Sequence, residues 1–525
     1  MKRLALSTLL LSTSLWIACG ADDVAGDPLG QAVTAIGGKE ALLGLRTLST
    51  SATGQRFEPG QARSPGGTPL ALGSFSYSSD LDLTGDRVAL AWQRSSLIGS
   101  PLKFSEIVNQ DRGYFDGIDS VTGMAPQSAM QSSRVAAVRK HQRLFLPHLL
   151  LRRALQSPSS VTVLPQADYL GKPHHVLSLT DNFQPVRVFI DAASGQIDKV
   201  DTIEDDPMRG DVLIEVATSA WTQSGTLRFP TQMRLSLAGV PIHDETRTVV
   251  AVNPNLADSK FTVPAALSVA PDSADAARGE AISEYLHRFA AIGFPADQDA
   301  AKSLMVSELA KGVLHLTGAV AHSLAIETQT GIVVAEAPTD DARSRAVIAE
   351  IRKRIPGKPI THIINTHHHD DHAGGLRTYV AEGATVVTAK SNEAYLTQVF
   401  QAPHKARPDQ LQQTPAAQRK LVTVGSSPLE LKDAAHTIRV YNIAANHAEG
   451  MLVVYIEDLT LLFVADLFSP GFFPADRPIQ GEFQTGAQDL YKAITVLGLS
   501  SSLSLVGAHG FGTAPLSVLK VNAGL

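Results

Sequence analysis

The sequence predicts two domains of different class: a mainly antiparallel β domain first, then an α/β domain. Three observations carry this. The chain has 525 residues, more than one ordinary hydrophobic core organises. From about Leu45 to Phe261 apolar residues recur mostly with period two, and from about Ala301 short apolar runs alternate with segments of helical spacing. The composition, 44% hydrophobic and 18% charged, is that of a folded chain. A net charge of −6 supplies no basic face for a nucleic acid, so a small-molecule substrate is the expected partner.

Taken in order, the chain opens on "MKRLALSTLLLSTSLWIACG". Lys2 and Arg3 precede an apolar run, Leu4 to Ala18, shorter than a bilayer-spanning helix, which reads as a secretory signal. The single cysteine, Cys19, follows directly. "WIAC" resembles a bacterial lipobox, although Trp16 stands where Leu is usual. That resemblance implies a lipid anchor at Cys19 and a lipoprotein of the periplasm or outer membrane of a bacterial cell envelope. The expected divisions are 1–19 for the signal, 20–269 for the β domain, 270–300 for a linker with a short helix, and 301–525 for the α/β domain.

Within the β domain, "FSYSSDLDL" puts Phe75, Tyr77, Leu81 and Leu83 on one face of a strand, and "VRVFIDAASGQIDKV" reads as two strands joined at Ala193, Ser194 and Gly195. The closing run "VVAVNPNLADSKFTVP" and the hairpin before it resemble the open half-barrel sheets of bacterial lipoprotein carriers and sorting factors, which implies binding of a lipid or apolar ligand. Between the strands, "RVAAVRKHQRLFLPHLLLRRALQ" has helical period, is interrupted by Pro147, and carries Arg134, Arg139, Lys140, Arg143, Arg152 and Arg153. The expected role is a helix that closes the open side of the sheet with its charges in water; an anionic membrane surface is the alternative. "APDSADAARGE", Ala270 to Glu280, reads as a linker of small and polar residues.

The chemistry concentrates in "THHHDDHAGG", Thr366 to Gly375, after the apolar strand "ITHIINT" and before a helix start. A strand-to-helix loop at a sheet end is where α/β proteins hold ligands. In an extended loop His367 and His369 point the same way, while His368 and Asp370 occupy the alternate positions and face elsewhere. Asp371 and His372 fall on the next turn, in reach of a second ion. Imidazole and carboxylate donors suit Zn²⁺, and iron and manganese accept them as well.

This His-x-His-x-Asp-His pattern resembles the metallo-β-lactamase fold superfamily, over about 301–525. The resemblance extends to "AANHAEGMLVVYI", "LLFVADLF" and "LSLVGAHG", each placing a further ligand type beside an apolar strand. It implies an αββα sandwich with two zinc ions, one held by His367, His369 and His447, the other by Asp371, His372 and His509, with Asp466 bridging. It also implies that Asp371 is catalytic, ligating metal with one oxygen and orienting the nucleophile with the other. Asn446 is a candidate substrate contact or loop cap. His315, His322, His362 and His368 fit no ligand slot and are expected to be structural or solvent-facing.

The expected activity is hydrolysis of a small ester, lactone, thioester or amide, β-lactams included, by a hydroxide generated between two cations. Asp466 stands where some β-lactamases carry a thiolate. With sixteen residues after His509, the helical domain with which glyoxalase II holds glutathione is not expected. Two alternatives remain at this stage: an iron-dependent redox enzyme of the same superfamily, and a lipid-binding lipoprotein.

Overall fold

A computed structural model describes residues 27–95, 101–118, 127–181, 184–293, 296–297, 300–318 and 321–525. The signal and lipobox readings, Cys19 included, lie outside the described residues. The β half forms one 13-stranded sheet in which every neighbouring pair is antiparallel. It is built from two meanders. The first runs from Thr47–Glu58 to Gln127–Ala129 and the second from Val161–Tyr169 to Val240–Val252. They join where Thr47–Glu58 pairs with Val240–Val252, with Leu48 opposite Val252 and Arg56 opposite His243.

The segment between the meanders forms two helices, Ser132–Phe145 and Pro147–Gln156. Proline cannot continue the first helix but is well placed to begin the second. Val135, Val138, Leu144, Phe145, Leu150 and Leu151 pack on Phe75, Tyr77, Val188 and Leu235 of the sheet. Each such burial contributes about 2 kcal/mol. The helices thus cover the apolar face that a carrier would keep open. Three of their basic side chains are paired with acids, Arg134 with Glu106 at 2.9 Å, Lys140 with Glu204 at 2.8 Å and Arg143 with Glu280 at 2.7 Å, and Arg152 donates to the carbonyls of Leu42, Leu43 and Leu45. The helices close the sheet as expected, but these three charges lie in the protein interior and not in water.

The expected linker is also ordered. Ser273–Ala281 is a helix whose N-cap Asp272 accepts from the backbone N–H groups of Ala274 and Asp275. Gly279 lies against the Ser133 backbone, so close that a Cβ there would meet the Ser133 carbonyl oxygen at 2.0 Å. Small residues that read as flexible are small because two helices meet there. A second helix, Ser283–Ala291, follows with Tyr285, Leu286 and Phe289 buried.

The C-terminal half has two facing sheets. A 7-stranded sheet runs from Met305–Ala310 to Leu421–Val424, and a 6-stranded sheet from Leu429–Lys432 to Thr513–Pro515. Val313, Leu324, Ile326, Val333 and Ile364 from the first meet Val440, Val453 and Phe463 from the second. Val347, Ile348 and Ile351 of helix Asp341–Arg354, with Leu376 and Tyr379, cover the other face of the first sheet. Helices Gly481–Val496 and Leu516–Ala523 cover the second through Leu490, Ile494 and Leu519. All of Met451–Ile456 is buried, as a strand covered on both faces must be. The layers are helix, sheet, sheet, helix. Among the described residues no helix is long and apolar enough to cross a membrane.

Candidate metal centre

The first ligand candidates sit where parallel strand Ile360–Ile364 ends. Asn365 Nδ2 donates to the His367 carbonyl at 2.5 Å, which bends the chain into the loop. His369 is extended (φ −60, ψ 145) and caps the short helix Asp370–Ala373. His447 follows strand Thr437–Ile443, Asp466 follows Leu461–Val464, and His509 follows Ser504–Gly507. Three strand ends of the second sheet thereby face the strand-to-helix loop of the first.

The structure brings all these candidates together. One donor from each of His367, His369, His447 and Asp466 lies within 4.8 Å of the others, and the same holds for Asp371, His372, Asp466 and His509. Asp466 belongs to both groups. Its Oδ1 is 2.7 Å from His372 Nε2 and 3.3 Å from His509 Nε2, and its Oδ2 is 3.1 Å from His447 Nε2.

The protonation pattern fits a cation. His369 Nε2 is 3.1 Å from the Ala62 carbonyl, which can only accept, so Nε2 carries the hydrogen and the bare Nδ1 faces His447 Nε2 at 3.1 Å. The Glu336 carboxylate takes His372 Nδ1, leaving Nε2 to face His509 Nε2 at 3.1 Å. His367 Nδ1 lies 3.0 Å from Thr366 Oγ1, while its Nε2 is buried without a hydrogen-bond partner. Nitrogen pairs at this spacing match neighbouring ligands of a tetrahedral ion, about 3.3 Å apart for metal–nitrogen bonds of about 2.05 Å. An orphaned buried acceptor is otherwise costly.

Electrostatics divide the histidines. Burial, reinforced by neighbouring imidazoles, pushes His367 and His369 well below their ordinary pKa. Burial opposes charge on His372 too, but Asp466, Asp371 and Glu336 outweigh it and hold its pKa well above the usual value. His509 is likewise raised, by Asp466 against burial.

The remaining candidates take other roles. His315 is buried with Nε2 3.0 Å from the Gly507 carbonyl, and His322 is buried with its ring 5.1 Å from that of His315. His362 Nδ1 is 3.1 Å from Thr361 Oγ1, and His368 Nε2 is 2.8 Å from the Ala62 carbonyl. Asn446 is exposed, and its backbone N–H donates to Asp489. Asp370 faces away from the cluster, into the Arg288 and Arg209 guanidiniums at 2.6 and 2.8 Å. The second oxygen of Asp371 is not free as expected: Gln61 Nε2 donates to it at 2.7 Å. Glu336, Thr366 and Gln61 were all missed. Only Glu336 left a trace, an acid closing the apolar strand "GIVVAEAP", where it adopts φ 72, a strained region for a side-chain-bearing residue.

Residues 319–500 match the sequence profile of the metallo-beta-lactamase superfamily. The C-terminal domain is a metallo-beta-lactamase domain. A 57-residue stretch of the chain is 40% identical to the linear primary-alkylsulfatase of a Pseudomonas strain and covers 11% of each protein, so the chain matches about a tenth of that relative's length. Among solved structures, the metallo-beta-lactamase domain is similar to the metallo-beta-lactamase from Pontibacter korlensis, at 16% identity over 42% of this chain and 97% of that one, with a TM-score of 0.32. A metallo-beta-lactamase from Hirschia baltica is 18% identical over 42% of this chain and 96% of its own, with a TM-score of 0.30.

Proposed function

We propose that the protein is an exported dinuclear zinc-dependent hydrolase that cleaves a small ester, lactone, thioester or amide, a β-lactam among them. The observation that carries this reading is the Asp466 carboxylate shared between two histidine-rich donor groups. In this reading His367, His369 and His447 hold one ion, and Asp371, His372 and His509 hold the other. When bound, two divalent ions supply Lewis acidity that makes water nucleophilic near neutral pH and stabilises the oxyanion produced.

The chain's own residues prepare that chemistry. Glu336 fixes the tautomer and ring plane of His372, as a carboxylate behind a ligating imidazole does. Asp371 turns Oδ2 toward His372 and His509, at 3.4 and 3.8 Å, while Oδ1 points to Gln61. His367, His369 and Asp371 are buried, whereas the His447 and Asp466 side chains are 28% and 15% exposed. Substrate therefore approaches from the His447 side. Carboxylic acid derivatives are favoured over phosphodiesters because the net charge of −6 offers a polyanion no attraction.

The test is a substrate panel run with zinc present: nitrocefin, aryl esters, lactones, thioesters and phosphodiesters. The local likeness to a linear primary-alkylsulfatase adds sulfate esters to it. Metal analysis of protein purified without added metal accompanies the panel. Iron as the dominant, activity-supporting ion would overturn the zinc reading in favour of redox chemistry. Export as a lipoprotein is tested by Cys19→Ala, which is expected to release the protein from the membrane fraction.

A further inference from the structure

The turn nearest the metal loop's first helix comes from the other half of the chain. Strand Thr47–Glu58 of the 13-stranded sheet runs directly into the 3-10 turn Pro59–Gln61, and this turn lies against Asp370–Ala373. Four hydrogen bonds join residues 61–63 to the loops that carry the ligand candidates, one of them directly from the turn to the helix. Gln61 Nε2 donates to Asp371 Oδ1 at 2.7 Å. The Ala62 carbonyl accepts from His369 Nε2 at 3.1 Å and from His368 Nε2 at 2.8 Å. The Arg63 carbonyl accepts the Glu449 N–H at 2.7 Å, two residues beyond His447.

The turn is itself held from behind. The Glu58 carboxylate accepts the Gly60 N–H at 2.7 Å and binds the Arg288 guanidinium, which also reaches Asp370. A Cβ on Gly60 would fall 2.3 Å from Asp370 Oδ2, so the approach needs glycine.

We infer that the Pro59–Ala62 turn of the N-terminal sheet is a positioning part of the metal centre. Gln61 fixes the Asp371 carboxylate with Oδ2 toward the second ion, and the Ala62 carbonyl holds His369 with Nδ1 toward the first. A carboxylate anchored at neither oxygen is free to rotate about its broad terminal torsion. A neutral amide donor anchors Oδ1 without cancelling the negative charge the cation needs, as an arginine in the same place would. The two halves are on this view one functional unit, and the C-terminal domain alone lacks both contacts. The inference rests on the dinuclear reading above.

Metal-depleted full-length protein titrated with Zn²⁺ alone, against a chromophoric chelator, tests it. Gln61→Met keeps the side-chain length and loses the donor. It is expected to bind the second ion roughly ten- to a hundred-fold more weakly, with the first ion unchanged and the thermal midpoint of the metal-free protein preserved. In an Asp371→Ala background Gln61→Met is expected to change nothing further, because the two residues act through one contact. Equal affinities in wild type and Gln61→Met overturn the inference. A uniform loss of both affinities together with metal-free stability also overturns it, since the turn would then be scaffold only. A wild type that takes up fewer than two ions overturns the dinuclear reading instead.

Discussion

The two sides of the loop Thr366–Gly375 hold clusters of buried titratable groups that differ in one respect. On one side His367, His369, Asp371 and His372 converge with His447, Asp466 and His509, and acceptor nitrogens face one another or stand without a partner. On the other side Asp370 meets Arg288, which also binds Glu58 and Asp206 at 2.6 Å each. The second cluster is balanced by fixed guanidiniums; the first has only imidazoles beside its carboxylates, with the pKa values of His372 and His509 raised, against burial, by Asp466 and His367 Nε2 left without a hydrogen-bond partner. A buried charge is tolerated only when compensated; arginines meet that need on the Arg288 side, while the histidine side presents a donor set suited to a cation. Both arise from one loop: His367 and His369 lie on its extended part, and Asp370 and Asp371 leave the short helix that follows in different directions.

The largest expected effect breaks the histidine side. Asp371→Ala should lower hydrolysis of any substrate found by more than about a thousand-fold, with circular dichroism unchanged. Activity within a few-fold of wild type would refute the assignment. Next, Arg288→Met strands the Glu58 carboxylate and leaves Asp206 and Asp370 to Arg209 alone, and should cost about 3–5 kcal/mol in urea unfolding; a cost below about 1 kcal/mol would mean that the two sides do not differ as argued.

A third test uses pH on the extension of the same charge network. Burial pushes the Glu284 carboxyl up to about 7, with Arg56 opposing and Glu204 adding to the rise. The ordinary value is 4.5, so with rising pH the unfolded chain releases this proton before the folded one does. This contribution to stability is complete below about 4.5 and is lost as pH climbs to about 7, by up to about 3 kcal/mol. Glu284→Gln should flatten that decline in denaturation curves; an unchanged slope would exclude Glu284 as its source. The smallest effect is expected at His368, whose Nε2 shares the Ala62 carbonyl with His369. His368→Ala should cost about 1–2 kcal/mol through one lost hydrogen bond and change turnover by less than about ten-fold, and a complete loss of activity would place His368 among the ligands.

Much of this contrast was legible in local sequence. The alternation of "THHHDDH" separates inward from outward side chains, and short apolar runs before His447, Asp466 and His509 mark strand ends. The helices at Ser132–Phe145 and Pro147–Gln156 were legible too, but not the fate of their charges. Whether Arg134 ends in water or beside Glu106 depends on a strand that no local pattern connects to it. The helix Ser273–Ala281 was not legible within the stretch 270–280 for the same reason: small residues at a helix contact and in a linker have one composition.

By itself the sequence determined the fold class and the chemical types and alternating sides of the donors, because these follow from side-chain periodicity over a few bonds. Only the tertiary structure decided that Glu336 orients His372, that Gln61 holds Asp371 and that Arg288 balances Asp370. Hydrogen bonds and ion pairs act through space at about 3 Å, and the partners here are supplied by strands, turns and helices whose meeting is fixed by packing across the whole chain.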